Sequence, residues 1–158
     1  MNSSAPAYQP RGKYFEDFEV GATFVSPRRT ITQTDIINFA CLSGDFNPPH
    51  VDFEYCREQP YGEPIAHGPL IFAIAAGLLV QMGLNDGTII AMLGVDKWRV
   101  HAPVKHGDTI HVVAKVKEKK TTSKPHQGIV TFVREVVNQR GEVVHTLEAT
   151  SMYKRRPA

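Results

Sequence analysis

Asp45 and His50 stand five residues apart in the segment SGDFNPPH, and Asn47, Pro48 and Pro49 lie between them. A carboxylate and an imidazole brought together by a proline-stiffened turn can hold a water molecule and move its proton, which general acid-base catalysis requires. An isolated Asp-x-x-x-x-His pair is more often structural, because Asp and Asn in turns commonly bond their own backbone. The surrounding chain therefore decides whether this pair does chemistry.

The elements that must position the pair follow from local signals. An extended stretch over residues 22–31 ends at Thr32, which caps a helix over 33–42, with Asp35 giving a variant of the capping box. Ser43-Gly44 ends that helix and opens the loop that carries Asp45. Beyond His50, Asp52 caps a short helix reaching about residue 59, and residues 60–64 form a loop with a proline at each end. His67-Gly68 then leads into an apolar run from Pro69 to Met82, read as a helix. It carries almost no polar group as far as Val80, so it is expected to be buried on most sides. From Thr88 onward the pattern changes to period two, in runs over 89–100, 109–116, 128–138 and 143–153 divided by turn signals such as His106-Gly107-Asp108 and Arg140-Gly141. One apolar helix ahead of four sequential strands predicts an α+β fold, an antiparallel sheet wrapped around that helix.

Global properties narrow the function classes. A chain of 158 residues with 42% hydrophobic and 22% charged residues reads as one globular domain, over 14–154, preceded by a flexible segment over 1–13. A net charge of +2 is too small to argue for nucleic acid. Lys115, Lys117, Lys119 and Lys120 read as a solvated strand edge. The apolar run is shorter than the ~20 residues that cross a bilayer, which argues against a membrane span. The start of the chain lacks the pattern of a signal peptide, and Cys41 and Cys56 lack zinc or redox spacing, so the expected setting is the cytoplasm.

Other residues invite a role and receive a plainer one. His67, just ahead of a helix, reads as a capping or packing residue more than a third reacting group. Ile71, Phe72, Ile74, Ala75 and Leu78 read as core. His101, His106, His111, His126 and His145 lack metal-ligand spacing and read as surface or edge residues, and Asp45, His50 and Cys56 make no convincing metal site. Arg99, beside Trp98, has the fork that suits a coenzyme A phosphate, but a solvated strand arginine is the more economical reading.

The combination of SGDFNPPH, then IAHGPL opening the apolar helix, and later VHAPVKHGDTIHV leading into paired strands resembles the MaoC-like dehydratase family, which includes the R-specific enoyl-CoA hydratases. The resemblance covers the chain from about Tyr14 to Tyr153. It implies the hot-dog fold, a long central helix in a curved antiparallel sheet, and a homodimer or higher homo-oligomer. It implies Asp45 and His50 as the catalytic pair, Asn47 as the residue bracing their loop, and Gly68 as the source of the backbone amide that binds the thioester oxygen. Two positions depart from the family pattern: Pro49 replaces the aliphatic residue usual before the histidine, and Pro69 replaces a larger apolar residue after His-Gly.

The expected activity is reversible addition of water to a trans-2-enoyl-CoA, giving a 3-hydroxyacyl-CoA, with the family implying R stereochemistry. No metal or redox cofactor is implied; coenzyme A enters as part of the thioester substrate. Charge pushed onto the thioester oxygen suits a free amide at a helix N-terminus, and proline is favoured at the helix start because the donor it lacks is one the helix leaves unused. Two rivals remain at this stage: a hot-dog acyl-CoA thioesterase, with Asp45 turning water on the carbonyl, and a non-catalytic acyl-CoA-binding or assembly subunit. The acyl group itself depends on how the segments 56–64 and 84–90 fold over the pocket.

Overall fold

The computed structural model describes residues 8–157. A short 3-10 turn, Phe15–Asp17, leads to strands β1 (Thr23–Val25) and β2 (Arg29–Thr30), helices α1 (Gln33–Ser43), α2 (Pro48–Val51), α3 (Phe53–Arg57) and α4 (Gly68–Gln81), and strands β3 (Ile89–Val100), β4 (Thr109–Thr121), β5 (Gln127–Val137) and β6 (Val143–Lys154). The strands form one antiparallel sheet in the order β1-β4-β5-β6-β3, with β2 also paired to β4. This is the hot-dog arrangement: Leu70, Ile71, Ile74, Ala75, Leu78 and Leu79 of α4 are buried in the same core cluster as Val112 and Ala114 of β4 and Phe132 and Val136 of β5.

The extended stretch expected over 22–31 is broken into two strands. Ser26 exchanges hydrogen bonds with β4, its N–H donating to the Val112 carbonyl and its Oγ accepting from the Val112 N–H. Pro27 has no N–H for the ladder, so pairing stops and resumes at Arg29. The expectation that α4 is buried on most sides also needs correction. Pro69, Ala73, Gly77 and Val80 form an exposed stripe on one side of the helix, because in a single chain the sheet covers only the other side.

Of the segment expected to be flexible, residues 1–7 lie outside the described residues. Its remainder runs beside the loop after α4: the Tyr8 hydroxyl and Arg11 Nε both donate to Asp86, and the amides of Gly12 and Lys13 donate to the carbonyls of Asp86 and Leu84. Among the described residues no helix is long and apolar enough to cross a membrane.

Candidate active site

The loop that carries Asp45 is fixed first by the helix before it. Thr32 Oγ1 accepts from the Asp35 amide at 3.1 Å and the Asp35 carboxylate accepts from the Thr32 amide at 2.9 Å, so α1 starts with a reciprocal box. It ends at Gly44, whose φ of 77° is the left-handed conformation that glycine adopts without a Cβ penalty and whose amide bonds Ala40 O. Asp45 is the next residue, its amide donating to Ser43 Oγ. Asn47 donates from both its backbone and its side chain to Asp45 Oδ1, at 3.3 and 2.8 Å. The other carboxylate oxygen, Oδ2, accepts no hydrogen bond from a described residue and faces two imidazoles.

Pro48 and Pro49 open α2, a single turn, at positions where the missing N–H costs a helix nothing. His50 sits on that turn. The segment 65–67 clamps it from the side: the Ile65 amide donates to Pro49 O at 3.0 Å, and Ile65 O lies 2.7 Å from His50 Nδ1. A carbonyl only accepts, so His50 carries a proton on Nδ1, and Nε2 is the ring nitrogen that faces the site. Cys56 packs beneath this turn with Sγ 3.5 Å from the carbonyls of Pro48 and Pro49. Burial and nearby Asp52 push its thiol pKa up, which makes it a packing group rather than a nucleophile.

Asp45 Oδ2 stands 3.9 Å from His50 Nε2. That is too far for a direct hydrogen bond and the right span for one water bonded to both. The Asp45 side chain is 41% exposed and that of His50 15%, so the gap opens to the surface of the single chain.

His67 is more deeply involved than its position ahead of a helix suggests. Its side chain does not cap α4. It is buried, its ring stacked on His50 and tilted against Phe39 of α1, and its Nε2 lies 2.9 Å from Asp45 O. It therefore props both members of the pair from behind. Gly68 begins α4, and its amide has no acceptor among the described residues. A Cβ added there would meet Val100 and Trp98 at 3.6 and 3.7 Å, so both side chains wall the helix start.

Asp45, His50 and His67 offer ligand atoms within 4.8 Å of one another. The His67 atom in reach is already donating to Asp45 O, which leaves two unengaged donor atoms and suits a water better than a cation. Arg99 is exposed, and its Nη1 donates to Trp98 O.

His145 corrects the reading of the later histidines as surface or edge residues. It is 2% exposed, and Nδ1 accepts from Trp98 Nε1 at 3.3 Å. Burial, aided by the nearby His101, lowers its pKa to about 4. The features that sequence reasoning missed are the Ile65 carbonyl and the support from Cys56. The first is backbone, with no residue-type signal, and the second depends on a contact between α3 and α2.

Residues 17–138 match the family described as "MaoC like domain". The chain is 44% identical over 110 residues to Protein MaoC of Klebsiella aerogenes, covering 70% of this chain and 32% of that protein, so it spans about a third of that relative's length. It is 34% identical over 143 residues to an (R)-specific enoyl-CoA hydratase of Rhodospirillum rubrum, covering 90% of this chain and 93% of the relative. A solved structure titled as a monoamine oxidase regulatory protein from Archaeoglobus superposes with a TM-score of 0.86 at 38% identity, covering 95% of this chain and all of that one.

Proposed function

Because the chain belongs to the family of the MaoC-like domain, whose similar proteins carry hydratase and dehydratase names, we propose that it is a hydro-lyase adding water reversibly to a trans-2-enoyl-CoA with R stereochemistry. The observation that carries this reading is the 3.9 Å span between Asp45 Oδ2 and His50 Nε2, the ring nitrogen left free by the Nδ1 contact to Ile65 O.

In the proposed reaction a water donates one hydrogen bond to each group. His50 Nε2 accepts a proton as the water oxygen attacks the β-carbon, while Asp45, held by Asn47, orients the water and balances the imidazolium charge. Electron density moves to the thioester oxygen, where the Gly68 amide at the positive end of α4 receives it. The proton held by the pair then passes to the α-carbon, giving the 3-hydroxyacyl thioester with no net change in the enzyme. In the reverse direction the same groups remove water.

Self-association belongs to the same proposal. Strand β3 is an edge of the sheet, and Ile90, Met92, Leu93 and Val100 on it are exposed, as is Val80 on α4. A second copy of the chain laid along β3 would cover these residues and the exposed side of α4, closing the open side of the Asp45–His50 gap.

The test is loss of conjugated double-bond absorbance of crotonyl-CoA, with the product resolved on a chiral column and Asp45→Asn run beside the wild type. An R-3-hydroxyacyl product that vanishes with Asp45→Asn supports the reading. Release of free coenzyme A with the double bond intact would assign the water to the carbonyl carbon and replace it with a thioesterase.

A further inference from the structure

Arg134 occupies a place where an arginine has no structural reason to be. It lies on β5, in the middle of the sheet, between Ala114 of β4 and Leu147 of β6 in register. Its side chain faces the core: the residue is 9% exposed and alternates along the strand with buried Phe132 and Val136. No described group accepts a hydrogen bond from its guanidinium, Nε is buried without a partner, and no described carboxylate lies within 4.0 Å. Its Cζ lies over the Phe132 ring, 5.8 Å from the centroid. A guanidinium stays protonated in a protein, so this is a buried cation without a counter-ion, which costs several kcal/mol. Leucine or methionine would fill the space more cheaply.

Two small cavities, each with room for about one water, flank the guanidinium. One lies under α4 against Phe72, Ala76 and Val136; Asn85 and Tyr153, hydrogen-bonded to each other, are among the residues lining the other. Leu79 and Arg134 line both. Side-chain contacts link the first to the candidate active site. Phe72 packs on Trp98 with ring centroids 5.6 Å apart, and Trp98 walls Gly68. From Gly68 to Ala76 the helix rises about 12 Å, within reach of a medium-length acyl chain.

We propose that Arg134 is a specificity-determining residue that binds a carboxylate at the far end of the acyl group, so that the preferred thioesters are dicarboxylic. The chain would leave the thioester at Gly68, pass Trp98 and Phe72 under α4, and end with its carboxylate paired to the guanidinium fork, a planar bidentate match. This names the substrate class of the proposed hydratase and rests on that reading for its chemistry, though not for its binding.

The test therefore separates the two. Binding of the unreactive thioesters succinyl-, adipoyl- and sebacoyl-CoA is measured by calorimetry beside butyryl-, hexanoyl- and decanoyl-CoA, for the wild type, Arg134→Leu and Arg134→Lys. In at least one pair of equal length the wild type binds the dicarboxylic member about tenfold or more tighter. Arg134→Leu removes that preference and Arg134→Lys keeps part of it. Equal or weaker binding of every dicarboxylic member by the wild type overturns the proposal without recourse to a variant, and so does a preference that survives Arg134→Leu. Turnover of crotonyl-CoA and of an unsaturated dicarboxylic thioester is followed separately. A carboxylate preference in binding without turnover of either would retain the subsite and discard the hydratase.

Discussion

The ring of His67 lies stacked on that of His50, with centroids 3.7 Å apart and planes 25° from parallel. The same side chain reaches the Asp45 carbonyl with its Nε2 at 2.9 Å. One buried residue thus sets the distance between the two groups proposed to hold the water. His67→Phe keeps the stack and loses the hydrogen bond; His67→Ala loses both and leaves a void. With positioning errors near 1 Å costing up to 100-fold in rate, kcat should fall about tenfold for the first and about 100-fold for the second. Steady-state kinetics with thermal melts on both variants check this, and an unchanged kcat in His67→Ala would end the assignment.

Asp45→Asn and His50→Gln should each lower kcat by roughly 100- to 10,000-fold while the fold survives. Asp45 is partly exposed, and the Asn47 donors can still bond the amide oxygen of the replacement. Because both groups would act on one water, the double variant should lose little more than the worse single one. Additive losses would mean that the two act in separate steps.

The local signals of this chain were legible in its sequence and the tertiary ones were not. The Thr32–Asp35 box, the stop at Gly44 and the helix beginning at Gly68 depend on neighbours a few residues away, and they stand where the residue types place them. Strand β3 likewise spans the run expected over 89–100, although its burial does not alternate. The divided first strand is the exception, a local signal passed over: Pro27 has no N–H for the ladder, so pairing stops after Ser26. His145 escaped notice because the register between β5 and β6 shifts at Val136–Val137, so Val144 and His145 are buried in succession and simple alternation fails. At the candidate site the motif pointed to Asp45, His50 and Asn47, but neither the tautomer of His50 nor the prop from His67 can be read without the Ile65 and Asp45 carbonyls.

Thr32 should matter for stability and not for rate. Thr32→Val removes an acceptor that serves the Asp35 amide and leaves the reacting groups in place. The expected loss is about 1 kcal/mol, or about 2–4 °C in melting temperature for a chain of this size. Differential scanning calorimetry with parallel rate measurements decides the point; a large fall in kcat at temperatures well below melting would show that α1 sets the Asp45 loop more tightly than its hydrogen bonds suggest.

His145 should make the fold acid-sensitive. Its Nδ1 accepts from Trp98, so protonation would break that bond and place a charge in the core. With a folded pKa near 4 and an ordinary value of 6.5, the unfolded chain binds the proton more readily. Stability due to this residue is therefore present above pH 6.5, falls as pH drops toward 4 and levels off below, a loss of roughly 3 kcal/mol at most. Denaturant unfolding at a series of pH values, wild type against His145→Gln, isolates the effect. Parallel stability profiles for the two proteins across that window would contradict it.

The exposed residues of β3 carry the last prediction. Edge strands that work alone are commonly blunted by charge, yet Met92 and Val100 are apolar and more than half exposed. Charge gathers farther along, where Asp96 and Arg99 are exposed and Lys97, with a φ of 52°, turns its ammonium to Glu148 on β6, while the exposed stretch from Ile90 to Leu93 carries no charge. If a second copy pairs along this strand, Met92→Lys combined with Val100→Lys should convert a dimer into a monomer in sedimentation velocity. The Asp45–His50 gap would then stay open to bulk water, where electrostatic stabilisation is weakened by the high dielectric, and turnover should fall together with the dimer. A variant that remains dimeric would place the interface elsewhere. A monomer with undiminished kcat would show that the gap needs no cover, and that each chain performs its chemistry alone.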